Sequence, residues 1–191
     1  MSNKVMPIVL KHMNPSDIRW KNFSGNVTDR NQYGKRQFAL FLDPDMVDIQ
    51  ALINEGWKIK TKEYAETDKP TEYYLNVDVN FNYKTPPEID LIINAEAGGE
   101  PHGVHLNEDT VCQLDDVVFT SVSCIIRPWW SKNKFTNEWT LKASLAKMIV
   151  YSDPDYYHMA LEELNSELDG VIFDQDDVME EALDNMDSED D

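Results

Sequence analysis

The chain has 191 residues, is 41% hydrophobic and 10% aromatic, and carries a formal net charge of −19. Two cysteines are too few for a disulfide scaffold and read as reduced thiols in a cytosolic setting, and no apolar stretch approaches the roughly 20 residues of a membrane span or the core of a signal peptide. The charge is segregated: residues 1–152 hold 17 basic and 20 acidic groups, whereas residues 153–191 hold none and 16. The low pI therefore belongs to the rear segment, and the near-neutral front can still offer a basic groove to an anionic ligand.

In chain order, residues 1–17 read as a loose arm ending at Asn14-Pro15-Ser16. Ile18 to Phe23 reads as a strand closed by Ser24-Gly25-Asn26, and Arg36 to Leu42 as a second strand after a turn at 31–34. Asp43-Pro44-Asp45 has the chemistry of a helix start, with Met46, Ile49, Leu52 and Ile53 at helical spacing and Gly56 as the stop. Trp57 to Glu63 is extended, with Lys58, Lys60 and Lys62 on one side and Trp57, Ile59 and Thr61 on the other. Tyr74 to Tyr83 alternates apolar residues with Asn76, Asp78, Asn80 and Asn82, which predicts a strand ended by Pro86-Pro87. Glu88 to Asn94 predicts another strand, 95–103 a Gly-rich loop, and Asn107 to Leu114 a short capped helix that buries Cys112. Val117 to Arg127 and Asn137 to Tyr151 are long strands, joined through Trp129 to Phe135. Five to seven strands with singly inserted helices favour a small barrel over a doubly wound parallel sheet.

Basic residues recur beside aromatic ones at Trp20-Lys21-Asn22-Phe23, Tyr33-Gly34-Lys35-Arg36 and Arg127-Pro128-Trp129-Trp130-Ser131-Lys132-Asn133-Lys134-Phe135, and Lys58, Lys60 and Lys62 add a same-face ladder. Single-stranded nucleic acid requires this combination, because phosphates need cations along a groove and unstacked bases need flat π faces, each worth roughly 1–3 kcal/mol. Adjacent tryptophans in a strand point to opposite faces, so at most one of Trp129 and Trp130 enters a core. Enzymatic signatures are poor. His102 and His105 lie in a Gly-rich stretch with no Cys or His cluster to complete a metal site, and no phosphate loop, dinucleotide fingerprint or nucleophile elbow is present. No catalytic residue, metal or cofactor is expected.

In the rear segment, Tyr157, Leu161, Leu164 and Leu168 keep helical spacing, and beyond Gly170 the acids dominate a stretch expected to be disordered when unbound. A flexible segment of this length reaches roughly 35 Å, enough to occupy a groove on its own body through attraction that salt weakens. Apolar residues after 156 could equally serve a dimer, so both monomer and dimer stay open.

The order of several segments resembles bacteriophage single-stranded DNA-binding proteins of the OB-fold type over residues 18–151. They are Asn22-Phe23-Ser24-Gly25, Asn31 to Gly34 with Lys35-Arg36, Phe38 to Leu42 with Asp43, Gly56-Trp57-Lys58-Ile59-Lys60, Tyr74 to Val79, Pro87-Glu88-Ile89, Leu114-Asp115, Ile126-Arg127-Pro128-Trp129 and Leu141 to Leu145. The resemblance implies a mainly β, five-stranded OB-fold barrel over 18–152 with extra strands and one or two short helices, followed by an acidic C-terminal tail over 153–191. It implies a non-enzymatic protein that coats and protects single-stranded DNA in phage replication and recombination, in the cytoplasm of the bacterial host, with a tail that competes with DNA and recruits replication proteins. Candidate contacts carried over by position are Trp20, Lys21, Tyr33, Lys35, Arg36, Lys58, Lys60, Lys62, Arg127, Trp129, Trp130, Lys132 and Lys134. Such tails often finish on an aromatic or apolar residue; here the last five residues are Asp187 to Asp191, which turns the expected partner contact to Phe173, Met179 or charge alone. The alternative is an acidic protein that mimics DNA and inhibits a basic host factor.

Overall fold

The computed structural model describes residues 5–29, 31–65, 68–94, 100–132 and 137–154. The chain divides into two units, Met1–Tyr157 and His158–Asp191. Every described residue belongs to the first, so the helix expected near 157–168 and the acidic stretch after Gly170 lie outside the described residues.

Nine strands form one sheet: β1 (Ile8–Met13), β2 (Ile18–Asn22), β3 (Gln37–Leu42), β4 (Lys60–Lys62), β5 (Glu72–Asp78), β6 (Glu88–Ile93), β7 (His102–Leu106), β8 (Ser121–Lys132) and β9 (Trp139–Ser152). Along the main path their order is β1-β8-β9-β5-β3-β2, with β4 added to β5, β6 to β9 and β7 to β6. Two strands each serve several neighbours. On β9, residues 143–144 run parallel to β5 and residues 147–152 run parallel to β6, while residues 139–145 and 147–151 pair antiparallel with β8. On β5, Glu72 to Tyr74 pair with β4, while Tyr73 to Asp78 pair with β3. This sharing curls the sheet into a half-barrel of the OB kind, with the core on its inner face: Phe38, Leu40, Leu75, Val77, Ile89, Leu91, Leu145, Met148 and Val150 are almost fully buried.

Two strands arise where none was expected. The arm carries β1, whose Ile8, Leu10 and Met13 are buried against the sheet. Its apolar pattern breaks because the register against β8 shifts between Leu10 and Met13, where His12 takes φ 51°. The Gly-rich loop carries β7, which holds its place by five antiparallel pairs with β6 rather than by β-branched side chains. His102 and His105 therefore stand on a strand, and the His105 Nδ1 lies 2.9 Å from Asp90 across the ladder.

Other boundaries moved for local reasons. The helix α1 spans Ile49–Glu55 and is capped by Asp48, whose carboxylate accepts from the Ala51 amide. Asp43 instead closes a turn, its carbonyl accepting from the Met46 and Val47 amides. Gly56 ends the helix at φ 99°, a left-handed conformation that favours glycine. β5 stops at Asp78, because the Asn80 side chain accepts from the Asn82 amide and turns the chain out of the sheet. Residues 111–115 form a five-residue 3-10 turn in which Val111 and Leu114 take the buried side, so Cys112 is exposed rather than a buried thiol. The buried thiol is Cys124, whose pKa burial pushes up to about 12.

Candidate nucleic-acid interface

The face of β3 and β5 turned away from the core carries three cross-strand rungs, Phe41–Tyr74, Ala39–Asn76 and Gln37–Asp78. The alternate residues Phe38, Leu40, Leu75 and Val77 go inward, so a period of two divides core from groove floor. Lys60 and Lys62 stand opposite Tyr74 and Glu72 on β4. At one end of the floor, β2 changes register between Arg19 and Asn22, and Trp20 takes φ 51° there. Its indole meets the rings of Phe41 and Tyr74 edge-on at 5.4 and 5.2 Å, while those two rings stack at 5.1 Å. Trp20 stays 53% exposed, with the Lys62 ammonium 5.6 Å from its ring and the Lys60 ammonium 5.9 Å from that of Tyr74.

From Trp20, three clefts follow one another with shared lining residues. A first cleft, walled by Trp20 and Tyr74, shares Gln37 and Asn76 with a second that holds Lys35, Lys58, Lys60 and Lys142. The second shares Lys35, Asp78 and Lys142 with a third that ends at Tyr83. Trp129, paired with Lys142 across the β8–β9 ladder, stacks on Tyr83 at 4.7 Å. Asp78 sits in the floor between Lys35 and Lys142. Burial raises its pKa, and the two lysines oppose that shift. The loop that delivers Tyr33 and Lys35 is drawn tight by two glycines, Gly25 at φ 72° and Gly34 at φ 60°. A Cβ on either would come within 2.9 Å of the other's carbonyl oxygen. Asn31 locks the same loop, donating to the Asn26 and Lys35 carbonyls and accepting from the Lys35 amide.

β8 and β9 extend as a hairpin past the rest of the sheet, so Trp129 and Trp130 belong to a strand rather than to a connection. Pro128 fits there because β1 pairs with β8 only as far as Ile126. Both tryptophans are about half exposed, and neither enters the core. Trp129 turns to Tyr83, while Trp130 lies on the hairpin's other face with Lys132 and Trp139; the Lys132 ammonium is 5.9 Å from the Trp139 ring. Lys134 lies outside the described residues.

Arginine and lysine divide their roles. Arg19 donates both terminal nitrogens to the Glu72 carboxylate at 3.0 Å, and its guanidinium lies 3.9 Å from the Phe41 ring centre. The Tyr64 hydroxyl also donates to Glu72. The Arg19 hydrogen bonds, then that from Tyr64, hold the Glu72 carboxyl below its usual range. Arg36 is tied to Glu108 at 2.9 Å, and Arg127 donates to the Thr85 hydroxyl and carbonyl. Lys21 donates to the Leu114 and Val117 carbonyls beneath the Phe119 ring, where burial lowers its pKa. By contrast, Lys35, Lys58, Lys60, Lys62, Lys132 and Lys142 have no carboxylate within ion-pair distance among the described residues. Arginine suits a fixed bidentate or stacked post, and lysine suits a mobile point charge.

The structure thus brings Trp20, Lys35, Lys58, Lys60, Lys62 and Trp129 to one groove. Tyr33 stands beside it at 86% exposure, and Lys21, Arg36 and Arg127 are engaged as internal ties. Gln37, Phe41, Tyr74, Asn76, Tyr83, Trp139 and Lys142 join the picture only in three dimensions. The polar alternation of Asn76 and Asp78 was the available signal for the floor, since a strand with one apolar face presents the other to water or a ligand. No group of three potential metal ligands occurs among the described residues, and no described helix is long and apolar enough to cross a membrane.

No curated protein matches the chain. Among solved structures, the single-stranded DNA-binding protein of bacteriophage Enc34 is similar in a C-terminally truncated form, at 14% identity over 77% of this chain and 85% of that one, with a TM-score of 0.44. The same protein in complex with ssDNA gives the same identity and coverage with a TM-score of 0.42. The gp2.5 single-stranded DNA-binding protein of bacteriophage T7 is 12% identical over 80% of this chain and 93% of that one, with a TM-score of 0.32. The family match is far more extensive: residues 2–189 fit the family described as "Putative phage ssDNA-binding domain". The chain belongs to the phage single-stranded DNA-binding domain family.

Proposed function

We propose that this groove binds a single DNA strand largely without regard to sequence, with phosphates on Lys35, Lys58, Lys60, Lys62 and Lys142 and bases against Trp20, Tyr33 and Trp129. The observation that carries this reading is the run of three clefts with shared walls from Trp20 to Tyr83, on which Trp129 stacks, with Lys35, Lys58, Lys60 and Lys142 along it lacking a carboxylate partner among the described residues. Each stacked base contributes roughly 1–3 kcal/mol and is sequence-tolerant, because every base has a π face. A duplex offers no free face to stack, so the groove favours unpaired strands. Lys132 and Trp130 extend the cationic surface along the hairpin, and Lys134, outside the described residues, is kept as a further phosphate contact. Arg36, Arg127 and Lys21 hold the walls in place.

In the cell this activity protects and organises single strands during phage replication and recombination in the host cytoplasm, without catalysis. The segment 153–191, with 16 acidic and no basic residues, competes with DNA for the lysines and recruits basic replication proteins. Deletion is best made after Tyr157, because Asp153 accepts a hydrogen bond from Asn94 and belongs to the first unit. Titrating fluorescent oligo-dT into full-length and 1–157 protein at several salt concentrations tests both halves of the proposal. The shortened chain is expected to bind more tightly at low salt, with quenching of tryptophan emission. No binding of oligo-dT by either form would refute the groove, and equal affinities would refute the competing tail.

A further inference from the structure

The middle of the groove carries two side chains that a purely sequence-tolerant binder does not need. Gln37 and Asn76 lie on the groove face of β3 and β5, diagonal across the ladder because Gln37 pairs with Asp78 and Asn76 with Ala39. Neither carboxamide has a hydrogen-bond partner among the described residues, although the neighbouring Asn22 and Asn31 amides are both committed to backbone groups. The partner across from Asn76 is only an alanine, so the floor is low at this rung. The cleft of about 600 Å³ above it is bounded on one side by Trp20 and Tyr74. A base stacked against those rings would therefore turn its polar edge toward two free carboxamides.

From this juxtaposition we infer that one position of the groove reads the base and prefers adenine, an inference that rests on the groove being the DNA-binding site. A carboxamide presents a donor and an acceptor side by side and pairs bidentately with an edge that offers the converse. Adenine has two such edges around one amino group, N6–H with N7 and N6–H with N1, so two carboxamides can each pair with it. Cytosine offers one, thymine has a single N–H for two amides to share, and guanine has only one at its amino group, N2–H with N3, its N1–H with O6 lying apart and its N7 and O6 both being acceptors. Diagonal positions on a ladder are roughly 7–8 Å apart, a separation that lets two amides reach opposite sides of one amino group. The Asn22, Asn31 and Asn80 side chains, which also line the clefts, are tied to backbone groups, so the preference is assigned to the one nucleotide over Gln37 and Asn76.

The test uses the full chain and an oligo-dT just long enough for one protein, with a single adenine walked through every position. One register is expected to bind about fivefold or more tightly than oligo-dT, and cytosine or guanine at that register much less so. In the shape-conserving double variant Gln37→Met, Asn76→Leu, the ratio of adenine-containing to plain oligo-dT affinity should fall to one, with a melting temperature like that of the parent. A flat walk with tight binding at every position overturns the inference and leaves the groove standing. A preference that survives in the double variant also overturns it, and failure to bind any oligonucleotide overturns both.

Discussion

The two ends of the groove offer the same chemistry on different supports. At the β2 end, Trp20 leans on Phe41 and Tyr74, which stack on each other over a sheet buried beneath them. At the hairpin end, the ring against Trp129 among the described residues is that of Tyr83, and Trp130 and Trp139 are half exposed or more. A ring held on several sides loses little freedom when a base stacks on it, whereas one on a projecting hairpin must be ordered by the ligand. The cations show the same contrast between fixed and free: arginines are tied to Glu72, Glu108 and Thr85, whereas Lys35, Lys58, Lys60, Lys62 and Lys142 have no carboxylate partner among the described residues. The molecule thus separates the cations that brace the clefts from those left available to a bound anion.

The largest effect is expected from the charges both ends share. Replacing Lys35, Lys60 and Lys142 by alanine should lower oligo-dT affinity by about two orders of magnitude near physiological salt. It should also flatten the slope of log K against log salt by about 2, since each lost phosphate contact removes about 0.7. An unchanged slope would mean that the strand lies elsewhere. Next in size are the tryptophans. Trp20→Ala and Trp129→Ala should each weaken binding by about 1–3 kcal/mol, but only Trp20→Ala should also lower the melting temperature, because only that ring packs on core-backed neighbours. Equal thermal effects would erase the contrast between the two ends.

Smaller effects sharpen the division between ties and contacts. Glu72→Gln should cost about 1 kcal/mol of stability or less, since the Arg19 pair is partly exposed, and should leave the salt slope of DNA binding unchanged. Because the folded state holds the Glu72 carboxyl below its usual value, its contribution is present above the unfolded pKa and lost as pH falls through the folded one. The variant should therefore differ least from the parent in acid, as thermal melts between pH 3 and 7 would show. Asp78→Asn has the opposite sign. Burial raises the Asp78 pKa, so ionisation opposes folding above that raised value and the cost vanishes below the ordinary value of 3.8. The variant should melt slightly higher at neutral pH, lose that gain at pH 3, and bind oligo-dT a few-fold more tightly with one less anion between Lys35 and Lys142.

Much of this was legible in the linear order of residues, and the misses have local causes. The alternation at 74–83, the apolar and β-branched runs at 117–127 and 137–151, and the Gly56 stop all name their elements, with ends that moved, because each depends on a chain's own pleat or cap. β1 and β7 were hidden because both are held by a partner strand rather than by their own pattern. Among the candidate contacts, clustering of cations with aromatics named Trp20, Lys35, Lys58, Lys60, Lys62 and Trp129, which the fold brings near one another. It could not separate Arg36, Arg127 and Lys21 from them, because whether a cation is free depends on a carboxylate or carbonyl 42 to 96 residues away.

What the linear chain decided alone was the segregation of charge, the two-residue period that splits a strand into core and groove faces, and the supply of aromatic and cationic side chains. Tertiary structure decided which of those side chains share a groove. Phe41, Tyr74, Lys60 and Lys142 come from four strands, and only cross-strand pairing, which no local propensity encodes, sets them along one floor.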